Sequence, residues 1–227
     1  MIFFDLDETL FDFKSAEYTA VNVLYSKLIN SSTSSRDDFY NSWCAIGMKH
    51  FGRFLRGELT FEQQKIERIT ELLESVGIPM DEDKARSYFQ IYLDHFEENW
   101  RVFDDVIHCL ESLKGRRLGL ITNGDSDQQR QKMKKVGIFD YFEIVVTAGD
   151  IGSAKPDLAI FTHACRLAET DPADCMYIGD NFETDIIPCA KLNMKGIWLD
   201  RKREGLGRPY SPTIHSLLEL PAILGAP

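Results

Sequence analysis

Most of what the sequence lacks bears on where it works and on what it can touch. No apolar run approaches the roughly 18 residues of a membrane span, and no charged segment precedes the apolar run at Met1–Phe4. A membrane anchor or secretory leader is therefore not expected, and a cytoplasmic protein is. Positive charge is also scarce: 26 Lys and Arg face 36 Asp and Glu, a formal charge of -10 without a long basic run. That balance argues against a nucleic-acid partner while leaving room for a small anion held by a few local donors. The five cysteines, Cys44, Cys109, Cys165, Cys175 and Cys189, have no CxxC spacing. A zinc site and a disulfide framework are both disfavoured, and buried thiols in a reducing compartment are expected.

What is present begins at the first residue. With 227 residues, 44% of them hydrophobic, the chain can bury one large core with an insertion. Met1 to Phe4 reads as a buried strand that runs into Asp5, Asp7 and Glu8. Buried carboxylates cost several kcal/mol unless a cation, a donor network or solvent meets them. From about Lys14 to Trp100 the pattern is helical, with four or five helices and no strand. Asn30–Ser35 breaks the first, Asp37 or Asp38 starts the second, Thr60 with Gln63 caps the third, Gly77 ends it, and Asp81 starts the fourth.

From Phe103 the pattern alternates. Helices at about 104–114, 127–136, 157–167 and 183–192 lead into strands at about 117–122, 144–147, 176–179 and 196–199, and Thr213 to Leu224 reads as a closing helix. Apolar strands alternating with helices predict an α/β fold, a doubly wound, mainly parallel sheet covered on both faces. The first strand belongs to that sheet, so the domains expected are a core of 1–13 and 101–227 and a helical insertion of 14–100. Ligands bind beyond the carboxyl ends of such strands, where Asp5, Asp7 and Thr9, then Thr122 and Asn123, then Lys155, then Asp180 and Asp185 all fall. Two like charges about 4 Å apart repel by roughly 4 kcal/mol at an effective dielectric of 20. Four aspartates and one lysine around an anionic substrate therefore call for a hard divalent cation with oxygen ligands, Mg²⁺ first, and the absence of His and Cys from these clusters disfavours zinc.

In their order and spacing, Asp5-Leu-Asp7-Glu-Thr9, Thr122-Asn123, Lys155-Pro156 and Gly179-Asp180 through Asp185 resemble the four signature motifs of the haloacid dehalogenase (HAD) superfamily, over residues 1 to about 200. The helical insertion resembles that family's cap, which closes over the site, on a Rossmann-like core. The resemblance implies a phosphatase working through an aspartyl-phosphate. Asp5 would be the nucleophile and a metal ligand, and Asp7 the acid and then the base, its backbone carbonyl touching the metal. Thr122 (hydroxyl), Asn123 (backbone N–H) and Lys155 would hold the phosphate. Asp180 would complete the metal ligands, with Asp185 behind them orienting Lys155 or a metal-bound water.

Other readings follow from the same residues. Dehalogenases of this superfamily lack the second aspartate, because halide leaves unprotonated, and Asp7 is present. A sugar-phosphate mutase shares the Asp5/Asp7 pair, and a non-catalytic phosphate-binding module would be expected to have lost one of these acids. Asp125 and Asp127 read as helix-start residues, Asp150 as a loop residue, the five histidines as structural, and Trp43, Phe51, Phe54, Phe61 and Trp100 as core of the insertion. Arg201, Lys202, Arg203 and Arg208 read as a solvated loop, and no role is read for Glu8. Lys49, Arg53 and Arg56, set among glycines, could meet a second anionic group of the substrate or simply end a solvated helix. The expected partner is a small phosphorylated metabolite, a nucleoside 5′-monophosphate or a sugar or sugar-acid phosphate, and the expected state is a monomer or weak homodimer.

Overall fold

Residues 1–29, 35–203 and 212–225 are described by the computed structural model. The loop read at Asn30–Ser35, apart from Ser35, lies outside the described residues, as does Arg208. The chain divides into two compact units, Met1–Asp12 with Arg101–Pro227, and Phe13–Trp100.

The first strand, β1 (Ile2–Phe4), is buried along its whole length. The helical unit follows as α1 (Phe13–Leu28), α2 (Arg36–Leu55), α3 (Phe61–Ser75) and α4 (Glu82–Glu98). Local chemistry sets their ends. Thr60 and Gln63 form the expected reciprocal capping box on α3, Gly77 leaves it at φ 81°, and Asp81 accepts from the Lys84 amide to start α4. Helix α2 starts earlier than Asp37 or Asp38, because the Ser35 side chain accepts the Asp38 amide at 3.1 Å. Within this unit α1 packs on α4 and α2 on α3. Trp43 is fully buried, whereas Phe51, Phe54 and Phe61 are half-buried and pack on one another. A part-buried ion pair also crosses the unit: Arg68 reaches Glu17 at 2.8 Å, and Trp43 Nε1 donates to the same carboxylate at 2.9 Å.

The basic stretch of α2 is paired as well. Lys49 meets Glu71 at 2.7 Å, Arg53 meets Glu67 at 2.7 Å, and Arg56, just past the helix, meets Glu58 at 2.6 Å. With a glutamate matched to each cation, an anion site there loses its physical basis.

In the other unit come α5 (Val106–Ser112), β2 (Leu118–Thr122), α6 (Ser126–Lys135), β3 (Ile144–Thr147), the single turn α7 (Ala148–Ile151), α8 (Leu158–Leu167), β4 (Met176–Gly179), α9 (Ile187–Lys191), β5 (Lys195–Leu199), β6 (Thr213–Ile214) and α10 (Leu220–Leu224). The strands form one parallel sheet in the order β3-β2-β1-β4-β5-β6. The order reverses between β1 and β4, which opens a crevice at their carboxyl ends. Phe4 sits level with Leu120 on one side and Ile178 on the other, so β2 (to Thr122) and β4 (to Gly179) run slightly past the end of β1, and the residues after all three leave the sheet at the same edge.

Two elements differ from expectation. The tail read as a closing helix from Thr213 starts as a sixth strand, β6, with α10 confined to its end, because two residues of edge strand carry no periodicity to read. The helix read at 183–192 starts as one π turn, Phe182–Ile186, whose N-cap Asn181 accepts from the amides of Glu183 and Thr184. Wide turns of this kind are frequent at functional sites.

Candidate active site

At the end of β1 the Asp5 amide still donates to Ile178, at 2.9 Å, and then the chain turns sharply. The amides of Leu10 and Phe11 both return to the Leu6 carbonyl, and Glu8 adopts φ 64°. This loop is tied down from β4 and β5. Thr9 Oγ1 accepts the Asp180 amide at 3.0 Å and donates to Asp180 Oδ1 at 3.4 Å. Arg201 donates to the Thr9 carbonyl at 2.8 Å while its other hydrogen bonds fork onto Asp105. Arg201 is thus a strut of this loop and not the solvated residue expected.

Lys155 is the hub. Asn123 clamps its backbone, accepting the Lys155 amide at 2.8 Å and donating to its carbonyl at 3.0 Å. The side chain is 4% exposed, and its ammonium meets Asp5 Oδ1 at 2.7 Å, Asp185 Oδ1 at 2.7 Å and the Tyr177 hydroxyl at 2.8 Å. Tyr177 spends its single proton on the Ile121 carbonyl, so it accepts from Lys155. Three donors therefore meet three acceptors. Burial opposes the Lys155 charge, but Asp185 and Asp5 outweigh it and hold the ammonium above its ordinary range. Asp5 moves the other way. Burial pushes its carboxyl well above the usual range, Lys155 opposes the shift, and Asp185 and Asp180 add to it.

Asp185 is fully buried, and its second oxygen accepts the Asn181 amide at 3.1 Å. It fits only because Gly179 has no side chain: a Cβ there would lie 2.3 Å from Asp185 Oδ2. Gly179→Ala is expected to push Asp185 off Lys155, lowering stability by about 1–3 kcal/mol and turnover with it. Thermal melts and initial rates check this, and a variant with unchanged values in both would show that the contact is slack.

Asp7 is held by a different set of side chains. Gln129 Nε2 donates to its Oδ2 at 2.9 Å, and Lys132 Nζ to its Oδ1 at 2.6 Å. The same Gln129 amide group reaches Thr122 Oγ1 at 2.8 Å and the Asn123 carbonyl at 2.9 Å. Both donors come from α6, whose ten residues include only one apolar side chain, Met133. A helix with no apolar stripe that still packs against a sheet must bury polar groups, and α6 buries Gln129 and Lys132.

Carboxylate oxygens of Asp5, Asp180 and Asp185 lie within 4.8 Å of one another. Counting Asp7, four carboxylates face two ammonium groups, Lys155 and Lys132, so two negative charges are left over. An all-oxygen donor set with that surplus fits a hard divalent ion of the Mg²⁺ type. The Asp7 carboxylate is not in the triplet, whereas Asp185, expected behind the ligands, is.

A family model described as haloacid dehalogenase-like hydrolase matches residues 1–193. The chain belongs to that family. Among its relatives, pyrimidine 5′-nucleotidase YjjG of Escherichia coli is 27% identical over 227 residues, 98% of this chain and 96% of the relative. N-acylneuraminate-9-phosphatase of Rattus norvegicus is 38% identical, but over 53% of this chain and 51% of its own length. The solved structure of the HAD hydrolase YfnB from Bacillus subtilis has the same fold, with a TM-score of 0.77 at 24% identity over 99% of this chain and 97% of its own. The chain is accordingly a hydrolase of the haloacid dehalogenase-like family.

Of the residues singled out as HAD motif positions, Asp5, Lys155, Asp180 and Asp185 converge, while Asp7, Thr122 and Asn123 form a second group joined through Gln129. Asp125 caps α6, as its helix-start reading expects. Asp150 lies not in a loop but in α7, where it completes a cap with Thr147 and pairs with Arg130 at 2.7 Å. Buried His50 bonds Glu71 at 2.7 Å, in keeping with a structural role. Gln129, Lys132 and Tyr177 carry no motif that marks them in the sequence. The one signal for the first two is the polar make-up of α6.

Proposed function

We propose that this HAD enzyme hydrolyses small phosphomonoesters through an aspartyl-phosphate on Asp5, with nucleoside 5′-monophosphates as the first substrate class to try. The observation that carries the reading is the pairing of Asp5 with Lys155 at 2.7 Å at the buried end of β1, with Asp7 two residues further along the same loop. A divalent cation held by Asp5 and Asp180 beside Asp185 would supply charge neutralisation and polarise the phosphoryl group. The Asp7 backbone carbonyl is a further candidate ligand.

An Asp5 oxygen attacks phosphorus as the ester P–O bond breaks, and Asp7 passes its proton to the departing oxygen. Water then attacks phosphorus and gives its proton to Asp7, the Asp5–phosphorus bond breaks, and phosphate leaves. Lys155 stays charged throughout, offsetting charge on Asp5 and phosphate, while the Thr122 hydroxyl and the Asn123 amide hold phosphate oxygens. Halide displacement has no use for a proton donor, so an Asp7 held by two dedicated side chains favours ester cleavage. The full-length relation to a pyrimidine 5′-nucleotidase supports the substrate class.

The test is release of inorganic phosphate from uridine and thymidine 5′-monophosphates, hexose phosphates, glycerol phosphate and 4-nitrophenyl phosphate, with Mg²⁺, with chelator, and with Mg²⁺ restored. Phosphate release that chelation stops and Mg²⁺ recovers is expected. Isomerised sugar phosphate without free phosphate would identify a mutase. Metal-independent halide release from a 2-haloacid, or no turnover of any ester, would overturn the reading.

A further inference from the structure

The hydrolytic scheme assigns no work to Gln129 or Lys132, yet both are almost fully buried and both end on the Asp7 carboxylate. Their geometry is constrained. Lys132 extends from α6 with its ammonium 4.5 Å from the centre of the Phe11 ring and 2.6 Å from Asp7 Oδ1, so its contacts on Phe11 and Asp7 lie on the loop that leaves β1. Gln129 can face only one way. The Asp7 carboxylate and the Asn123 carbonyl accept but cannot donate, so the amide nitrogen must face them and the oxygen must point elsewhere. Gly124, at φ 130°, makes the space: a Cβ there would lie 3.3 Å from that side chain.

Each Asp7 oxygen thus has its own donor, and the second N–H of the Gln129 amide is left to be shared by the Thr122 hydroxyl and the Asn123 carbonyl at the end of β2. A carboxyl group with a donor on each oxygen cannot spin about its last bond, and reacting groups gain most from being fixed before the reaction. We propose that Gln129 and Lys132 are positioning residues for Asp7. They fix the orientation of its carboxyl for proton delivery to the leaving oxygen, and the Gln129 amide ties it to the end of β2, where Thr122 and Asn123 would hold the phosphate. The proposal rests on the phosphatase reading above and adds residues to it.

Positioning an acid matters in proportion to how badly the leaving group needs a proton. An alkoxide needs one; 4-nitrophenolate hardly does. The experiment measures kcat and KM of the full chain with Mg²⁺ on 4-nitrophenyl phosphate and on the alkyl phosphate of the panel above that turns over fastest. Lys132→Met and Gln129→Leu are expected to lower kcat on the alkyl ester by about 10- to 100-fold, part of the roughly 10²–10⁴ that general acid–base catalysis contributes. The loss on the aryl ester is expected to be about tenfold smaller, and Lys132→Arg is expected to recover much of the alkyl rate.

In an Asp7→Asn background the further loss from Lys132→Met is expected to vanish, since residues acting as one unit are not additive. Equal losses on both esters, or losses that multiply with Asp7→Asn, would overturn the proposal and leave the pair a packing feature. If Lys132→Met does not fold, Gln129→Leu makes the same comparison. The phosphatase reading fails by a different result, a wild-type chain that turns over neither ester, and this proposal would fall with it.

Discussion

Asp5→Asn is expected to abolish phosphate release, by about 10⁴-fold or more, because a neutral amide cannot form the phosphoenzyme and no neighbouring group can stand in for a lost nucleophile. The same change is expected to spare the fold. Asp5 is buried, and that burial, with Asp185 and Asp180 nearby, holds its carboxyl well above the usual range against the pull of Lys155. A group whose folded value is raised favours the folded state below its unfolded value, about 3.9. That contribution is lost as pH rises through the folded value. At neutral pH without metal, the wild type therefore carries a cost that the amide removes. The melting temperature of Asp5→Asn in chelator is expected to match or exceed that of the wild type by up to a few degrees, or up to about 1 kcal/mol. Turnover within tenfold of wild type would exclude Asp5 as nucleophile, and a lower melting temperature would show that its carboxylate stabilises the fold.

Lys155→Met should fail on both counts. The methionine fills most of the volume but leaves Asp5 and Asp185, with Asp180 close by, without their shared ammonium. Removing one member of a buried pair costs about 3–5 kcal/mol, or roughly 6–20 °C in melting temperature for a chain of this size. Turnover is expected to fall by about 10²-fold or more, the order seen when a preorganised charge is removed from a reaction site. The pH course has a definite sign. Asp185 and Asp5 hold Lys155 above its ordinary value against its burial. Its contribution is therefore complete below an unfolded value of about 10.4 and is lost as pH rises through the higher folded value. Between neutral pH and about pH 10 the stability gap between wild type and variant should stay open, closing only in more alkaline solution. A gap that closed already near neutrality would mean that the lysine is not the charge that holds the cluster.

These two experiments bear on residues that are legible in the amino-acid sequence alone, and the reason is topological. In a parallel sheet of right-handed crossovers, every strand's carboxyl end lies on one edge, so polar residues that follow the apolar runs of β1, β2 and β4 must meet there. Asp5, Thr122, Asn123 and Asp180 are of this kind, and Lys155 follows the α7 turn beyond β3. The capping box at Thr60 and the stop at Gly77 are legible for a local reason, since three or four residues contain the whole interaction.

Other features are hidden because they depend on distance in space. The matching of Lys49, Arg53 and Arg56 to Glu71, Glu67 and Glu58 reverses the more ambitious reading of that stretch, and two of the three pairs cross from one helix to the next. Arg201 belongs to a solvated run by its neighbours in sequence, yet its contacts are with Thr9 and Asp105, 192 and 96 residues away in the chain. Cys165 and Cys175 follow no recognisable spacing, yet their sulfurs lie 3.8 Å apart.

Asp7 marks the division most plainly. Its place two residues after Asp5 sets its distance from the proposed nucleophile and supports the proposed ester chemistry over halide displacement, since the covalent spacing of a short loop is written in the chain. Which groups hold its carboxylate is not written there. Gln129 and Lys132 lie 122 and 125 residues further on, in a helix without an apolar face, and only the packing of that helix against the sheet brings their polar ends to Asp7.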